Sequence, residues 1–392
     1  MGHLLASKSY LVPLIDRLNR YPVGLVDHDL LREILALLFS EEEARIAAHF
    51  PLTEATLDEL ATATGIPASE LQPKLEAMAD KGLVMDLPCG NRTYWLLVPG
   101  LIGFFEFTFM KRRDDLPLAE LARLMQSYLH AVRPGQAEEF FGSRTQMTRA
   151  LPSTDRIPLS SQVTPWADAR RIIEEAGYGA AGTCFCRHRQ EHLGELCAKG
   201  VPVDGLCIAL GEGARFLVRR GFMQEKSPAE LLAILDEARR LRLTHVTDNI
   251  RERPSFICNC CPCCCELMTG VQEGFAEGIA KAPFLARVDA ELCTGCGACL
   301  PVCSVRCLAL SPARDAALVD ERLCLGCGAC LDSCPAGALH LVPREVGRPP
   351  RTKKELFLRI LGEKRRLIPA VTATVRTGVA RLVRRQKSPR IP

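Results

Sequence analysis

Residues 292–310, LCTGCGACLPVCSVRCLAL, and residues 323–341, LCLGCGACLDSCPAGALHL, carry one pattern twice: C-x2-C-x2-C-x3-C, with the copies 31 positions apart. Such a density of thiols is a ligand set for soft metals. The glycines Gly295, Gly297, Gly326 and Gly328 suit it, because a chain bending round a bound group needs left-handed backbone and close approach. The copies differ at two informative places. Pro335 follows Cys334, whereas Ser304 follows Cys303, and Cys307 stands where the second copy has Ala338. Cys307 therefore reads as a small packing residue.

This repeat resembles the bacterial two-cluster ferredoxins over residues 285–345. The resemblance implies a ferredoxin-like domain with two [4Fe–4S] clusters whose ligands are crossed between the copies. Cys293, Cys296 and Cys299 with Cys334 would hold one cluster. Cys324, Cys327 and Cys330 with Cys303 would hold the other. The family pattern expects proline after the fourth cysteine, so Ser304 departs from it. The departure bears on the rigidity of that turn more than on ligation.

The whole chain has 392 residues, 47% hydrophobic and 24% charged, the composition of an ordinary folded protein of two to four domains. Its 20 cysteines are clustered and often adjacent, which favours metal binding in a reducing compartment over disulfides. Together with an N-terminus lacking a secretory pattern, this sets the expectation of a cytoplasmic protein. The most apolar run, Trp95 to Met110, is interrupted by Pro99, Gly100, Gly103 and Glu106, so packing explains it better than membrane insertion.

Residues 27–98 read as two helices, a further helix–turn–helix and a hairpin. Ser40 and Glu43 form a capping box opening one helix. Leu57, Leu60 and Ala61, then Leu71, Leu75 and Met78, mark two helices around Gly65, the second ending at Gly82. Residues 83–87 and 93–98 then flank a turn. The pattern resembles a winged helix-turn-helix domain. Its second helix carries Glu70, Glu76 and Asp80 against Lys74 and Lys81, a poor balance for a DNA groove. Protein docking or homodimer formation is therefore expected ahead of DNA binding, and Cys89 is a lone thiol. Residues 115–131 form an amphipathic helix, and the Gly-, Ser- and Pro-rich stretch to Thr164 reads as a linker.

A cysteine-rich module follows, expected to open with a helix at Thr164-Pro-Trp. It holds Cys184, Cys186, Cys197 and Cys207, then Cys258, Cys260, Cys261, Cys263, Cys264 and Cys265. Six cysteines in eight positions cannot all enter a core in one direction. They favour at least one further iron–sulfur cluster over zinc or a dithiol couple. Cys184, Cys186, Cys197 and Cys207 would suffice as one set, completed or joined by the later six. Arg187, His188, Arg189 and His192 follow the first pair, the histidines expected in a loop or in solvent.

From Arg344 onward there are 15 Lys and Arg against three Glu. This basic, amphipathic tail suits an anionic membrane surface or an acidic partner. The expected architecture is α+β and multi-domain: a winged-helix-like domain (1–110), a helix and linker (111–163), a mixed α/β cysteine-rich domain (164–284), a ferredoxin-like two-cluster domain (285–345) and a helical basic tail (346–392). The expected function is electron transfer with a redox partner protein. The competing readings are a redox-sensing transcription regulator and a thiol- or cluster-based oxidoreductase. No dinucleotide fingerprint is present.

Overall fold

The computed structural model describes residues 8–152, 167–313 and 315–366. The chain forms two compact units of mixed α/β structure. One holds residues up to 108, with 113–139 and the segment from 357; the other holds 109–112 and 140–356. The cysteine-rich and ferredoxin-type stretches thus belong to the same unit.

In the first unit the caps set the helices. Ser40 and Glu43 bond reciprocally to open Glu41–Ala48, and Thr56 with Glu59 does the same for Leu57–Thr64. Gly65 and Gly82, both left-handed, end Leu57–Thr64 and Ala68–Lys81. Strands β2 (Val84–Cys89) and β3 (Arg92–Leu97) form an antiparallel hairpin, and β1 (Ala55–Thr56) pairs with β3. Helix Leu118–Ala131 buries Leu118, Leu121, Met125 and Tyr128. The stretch expected as a linker instead continues as helix Arg133–Phe141 and then a strand, β4 (Thr148–Ala150). Its polar composition hid buried roles: Gln136 is 2% exposed and donates to Gly24 O at 3.0 Å.

Strand β4 opens the second unit, an antiparallel six-stranded sheet. Its other strands are β5 (Gly179–Gly182), β6 (Cys207–Leu210), β7 (Met223–Glu225), β8 (Thr244–Asp248) and β9 (Phe256–Cys260). Their order is β4-β8-β9-β6-β5-β7. Helices Ala169–Glu175 and Pro228–Arg240 supply Ile172, Ile173, Leu231 and Leu235 to a core that also takes Ile208 and Ile257 of the sheet. Because side chains alternate along a strand, Ile257 facing that core leaves Cys258 and Cys260 for the opposite face. The first of these helices starts at Asp168, which caps Arg170 N–H; the start expected at Thr164 falls outside the described residues.

Two further antiparallel strand pairs complete this unit. Strands β10 (Phe284–Val288) and β13 (Leu339–Pro343) pair antiparallel, as do β11 (Leu308–Leu310) and β12 (Ala317–Val319). The last described helix is Lys353–Glu363. The apolar positions expected further along the tail, Ile368 to Leu382, lie outside the described residues. No helix among the described residues is long and apolar enough to cross a membrane.

Candidate metal centres

All four glycines of the repeat have left-handed backbone: Gly295 (φ 62°), Gly297 (73°), Gly326 (72°) and Gly328 (80°). At Gly326 the requirement is also steric, since a Cβ would lie 1.9 Å from Phe284 O. The loops so shaped surround a cavity lined by Cys293, Cys296, Cys299 and Cys334, walled by Val288, Ala338 and Leu339. Cys334 comes from the second copy, so these are the crossed partners. In the other set, burial pushes the Cys330 thiol up, and the neighbouring Cys327, Cys303, Cys324 and Cys299 push the same way. Cys303 of the first copy is joined to Cys324 of the second through the Cys307 thiol, which contacts both.

The 31-residue repeat extends to the sulfur hydrogen bonds. Ala338 N–H donates to Cys334 Sγ at 3.3 Å, and Cys307 N–H donates to Cys303 Sγ at the same distance. Ala317 N–H donates to Cys293 Sγ at 3.4 Å, and Ala286 N–H reaches Cys324. Donors aimed at sulfur stabilise the anionic cluster that a four-cysteine cubane presents. The apolar walls, the glycine turns and these donors fit [4Fe–4S] clusters.

The two sets differ in surroundings. Cys296 is exposed, while Cys324 and Cys330 are buried. Beside the buried set lies Cys307, whose thiol is 3.4 Å from Cys303 Sγ and also bonds Cys324. Its hydrogen bond holds Cys303 down to about 7 and Cys324 down to about 6, and Cys307 itself is raised. Cys307 is buried, as a packing residue would be, and in addition touches two of the expected ligands. Ser304 has a partner too: buried at 2%, its Oγ accepts from Thr244 Oγ1 at 2.9 Å, and Thr244 Oγ1 is also 3.5 Å from Cys327 Sγ.

Thr244 begins β8, where its register partner on β9 is Cys260. The strand pair therefore sets the second ferredoxin-type cysteine set beside the cysteine-rich module. Gln272 reinforces the junction, donating to Pro262 O at 2.9 Å and to Ser304 O at 2.8 Å.

Within that module the ten cysteines separate into two groups. Cys197 leaves the set expected for it and joins Cys261, Cys263 and Cys264, whose sulfurs all lie within 4.8 Å of one another. The other six close a ring. Cys184 bonds Cys186 and Cys207, Cys265 bonds Cys186 and Cys260, and Cys258 bonds Cys207 and Cys260. Strand alternation and the turn at Pro262 perform the sorting, so the adjacent pairs Cys260–Cys261 and Cys264–Cys265 serve different groups. Around the ring the thiols alternate. Hydrogen bonds from their neighbours lower Cys184, Cys258 and Cys265, the last two to about 5, and the same bonds raise Cys186, Cys207 and Cys260.

Helix Phe185–His192 carries the charges expected beside these thiols, but its histidines are not in a loop. His188 is 1% exposed, with Nδ1 2.7 Å from Phe109 O. Arg187 is 2% exposed and donates from Nη1 to Asn259 O at 3.2 Å, with Cys261 Sγ at 4.0 Å. Burial opposes its charge, yet the thiolates of Cys184, Cys207 and Cys261 raise its pKa. Thr244, Gln272 and the placement of Arg187 between the groups left no mark in the spacing of the sequence, because each acts across the fold.

In the first unit, Lys74 and Lys81 of helix Ala68–Lys81 are paired at 2.8 Å with Glu42 and Glu43. Both lysines of this helix are thus engaged within the unit, and Cys89 is exposed in the hairpin.

Residues 292–338 match the family model of the 4Fe-4S dicluster domain, so this segment is of the iron–sulfur, ferredoxin type. No curated protein and no solved structure matches the chain.

Proposed function

We propose that the chain is an electron-transfer protein in which two [4Fe–4S] clusters exchange electrons with further thiolate centres in the same unit. The observation that carries this reading is Thr244, whose hydroxyl touches Cys327 while its strand position is paired with Cys260. When bound, the clusters supply one-electron chemistry through changes of iron valence. The chain's part is to fix the ligands, exclude water from Cys324 and Cys330, and direct N–H, S–H and O–H donors at sulfur. The exposed edge at Cys296 is the face offered to a redox partner protein. Cys197, Cys261, Cys263 and Cys264 would hold one further metal centre. The first unit serves docking or self-association; its paired lysines weigh against a DNA-reading regulator.

The test is anaerobic iron and sulfide analysis of the full chain, with EPR after stepwise reduction. The expected result is about eight irons and eight sulfides assigned to two reversibly reducible cubanes, with metal beyond these in the cysteine-rich module. Failure to bind two reducible cubanes would overturn the reading.

A further inference from the structure

Cys197, Cys261, Cys263 and Cys264 are the cysteines that the fold draws closest together. Their four sulfurs all lie within 4.8 Å of one another, with Cys197 Sγ 3.5 Å from Cys263 Sγ and Cys263 Sγ 3.7 Å from Cys264 Sγ. Among the described residues no other cysteines gather in this way. Three of the four come from one turn: Pro262 bends the chain as it leaves β9, and the Gln272 amide donates to Pro262 O at 2.9 Å. The fourth comes from the loop 193–206, between helix Phe185–His192 and β6. Leu196 is 83% exposed while Cys197 beside it is half-buried, so this loop turns its thiol inward and not its leucine.

Sulfur spacing decides the kind of centre. Four thiolates about 2.3 Å from one tetrahedral ion stand about 3.8 Å apart. The four thiolates of a cubane each take a different iron, so their sulfurs stand farther apart, around a space for the cluster. Cys293, Cys296, Cys299 and Cys334 have that open arrangement and line a cavity. The four-thiol group has the closed one. Four sulfurs also complete a tetrahedral shell and leave no position for substrate or water, the pattern of a structural ion. Charge supplies a second, independent observation. Four thiolates around a divalent ion carry a net charge of about −2. Arg187, buried, stands with Nη1 4.0 Å from Cys261 Sγ, and its Nε and Nη2 have no hydrogen-bond partner among the described residues. A buried guanidinium without an anion is costly, and a metal-bound thiolate is a charged acceptor for its N–H groups.

We infer that Cys197, Cys261, Cys263 and Cys264 bind one thiophilic divalent ion, zinc or ferrous iron, in a closed tetrahedral site that ties the 193–206 loop to the turn after β9, with Arg187 as its counter-charge. The inference rests on the reading that these four cysteines hold a metal centre, and narrows that centre to a single ion without inorganic sulfide.

The experiment compares anaerobically purified full-length protein with Cys263→Ser and Cys197→Ser, measuring metal by native mass spectrometry, acid-labile sulfide, and cubane EPR. Each variant is expected to lose one metal ion per chain with sulfide and the cubane signals unchanged. Zinc or iron lost in this way supports the inference equally, and the metal lost names the occupant. Loss of several irons together with sulfide overturns the single ion but leaves the electron-transfer reading standing. An unchanged metal count overturns the inference and the further metal centre with it. Absence of cubane EPR from the unmodified chain overturns the electron-transfer reading alone, since the count at this site is still read. Should both variants fail to fold, iodoacetamide treatment of the unmodified chain decides. The exposed Cys263 is expected to be alkylated only as one ion leaves, with sulfide retained; alkylation with all metal retained, or with loss of sulfide, overturns the inference.

Discussion

Cys307 shows how much one thiol can change at a repeated site. The second copy has Ala338 at this position, and both residues donate a backbone N–H to the crossed cysteine. Only Cys307 adds a side-chain donor, bonded to Cys303 and Cys324. Hydrogen bonds to ligand sulfur favour the more negative, reduced state. Cys307→Ala should therefore lower the potential of the cluster held by Cys303, Cys324, Cys327 and Cys330 by about 20–60 mV, taking one such bond as 0.5–1.5 kcal/mol and 59 mV per tenfold for one electron. The other cluster should stay within error in the same EPR-monitored titration. Alanine at the equivalent position makes a folding defect an unsuitable explanation. The ferredoxin-type segment itself was legible in the sequence, because its cysteine spacing is written locally and twice. Arg187 was visible only as a charge near cysteines. Its burial between two sulfur groups depends on β9, 70 positions away, and nothing local announces that.

At the scale of elements, β8 and β9 do what neither does alone. Thr244, at the start of β8, carries the hydroxyl that meets Ser304 and Cys327, and β9 carries Cys258 and Cys260. Thr244→Val should lower the potential of the adjacent cluster and slow its electron exchange with the cysteine-rich module. It should also cost about 1 kcal/mol for a lost buried hydrogen bond. Thr247→Val is the control on the same strand: its hydroxyl donates to Phe256 O at 2.6 Å, and strand alternation sets it on the face opposite Cys258 and Cys260. It should cost similar stability and leave the potential unmoved, which separates tuning from simple damage. Helices were easier than strands to find in this chain. Capping boxes at Ser40, Thr56 and Ser227 are local chemistry written within four residues. The three residues of β4 have no such signature, and their strand character comes from β8, with which they pair.

At the scale of the whole molecule, the chain builds part of the first unit, forms the second, and returns. The returning segment is fastened at Glu139, which accepts from Gly24 N–H at 2.8 Å, Arg366 Nη1 at 2.6 Å and pairs with Lys364 at 3.0 Å. Burial works to raise the carboxyl, but Gly24, Arg366 and Lys364 together hold it below its ordinary value of 4.5. A depressed carboxylate contributes stability that is complete above the ordinary value and fades as pH falls through the depressed one. Glu139→Gln should accordingly cost the first unit roughly 1–2 kcal/mol at pH 7 and flatten the acid limb of its stability curve. Urea unfolding followed through Trp95, with Trp166 replaced by Phe, reads this directly. Equal acid sensitivity in both proteins would count against the fastening role. The sequence showed a basic tail but not its acceptor, since Glu139 lies more than 200 positions upstream.

The Gln272 amide gives this architecture a practical consequence. The 31-residue repeat has the appearance of a cassette that could be lifted out at residue 285 and moved to another protein. In the folded chain it is spliced to its host: Gln272 holds Ser304 O, Thr244 holds Ser304 Oγ, and Ala282 N–H donates to Leu325 O at 2.9 Å. All three donors lie upstream of the apparent cut. An excised fragment would keep every cluster ligand and lose these anchors, so the portable unit in this protein begins with the sheet, not with the ferredoxin-type motif.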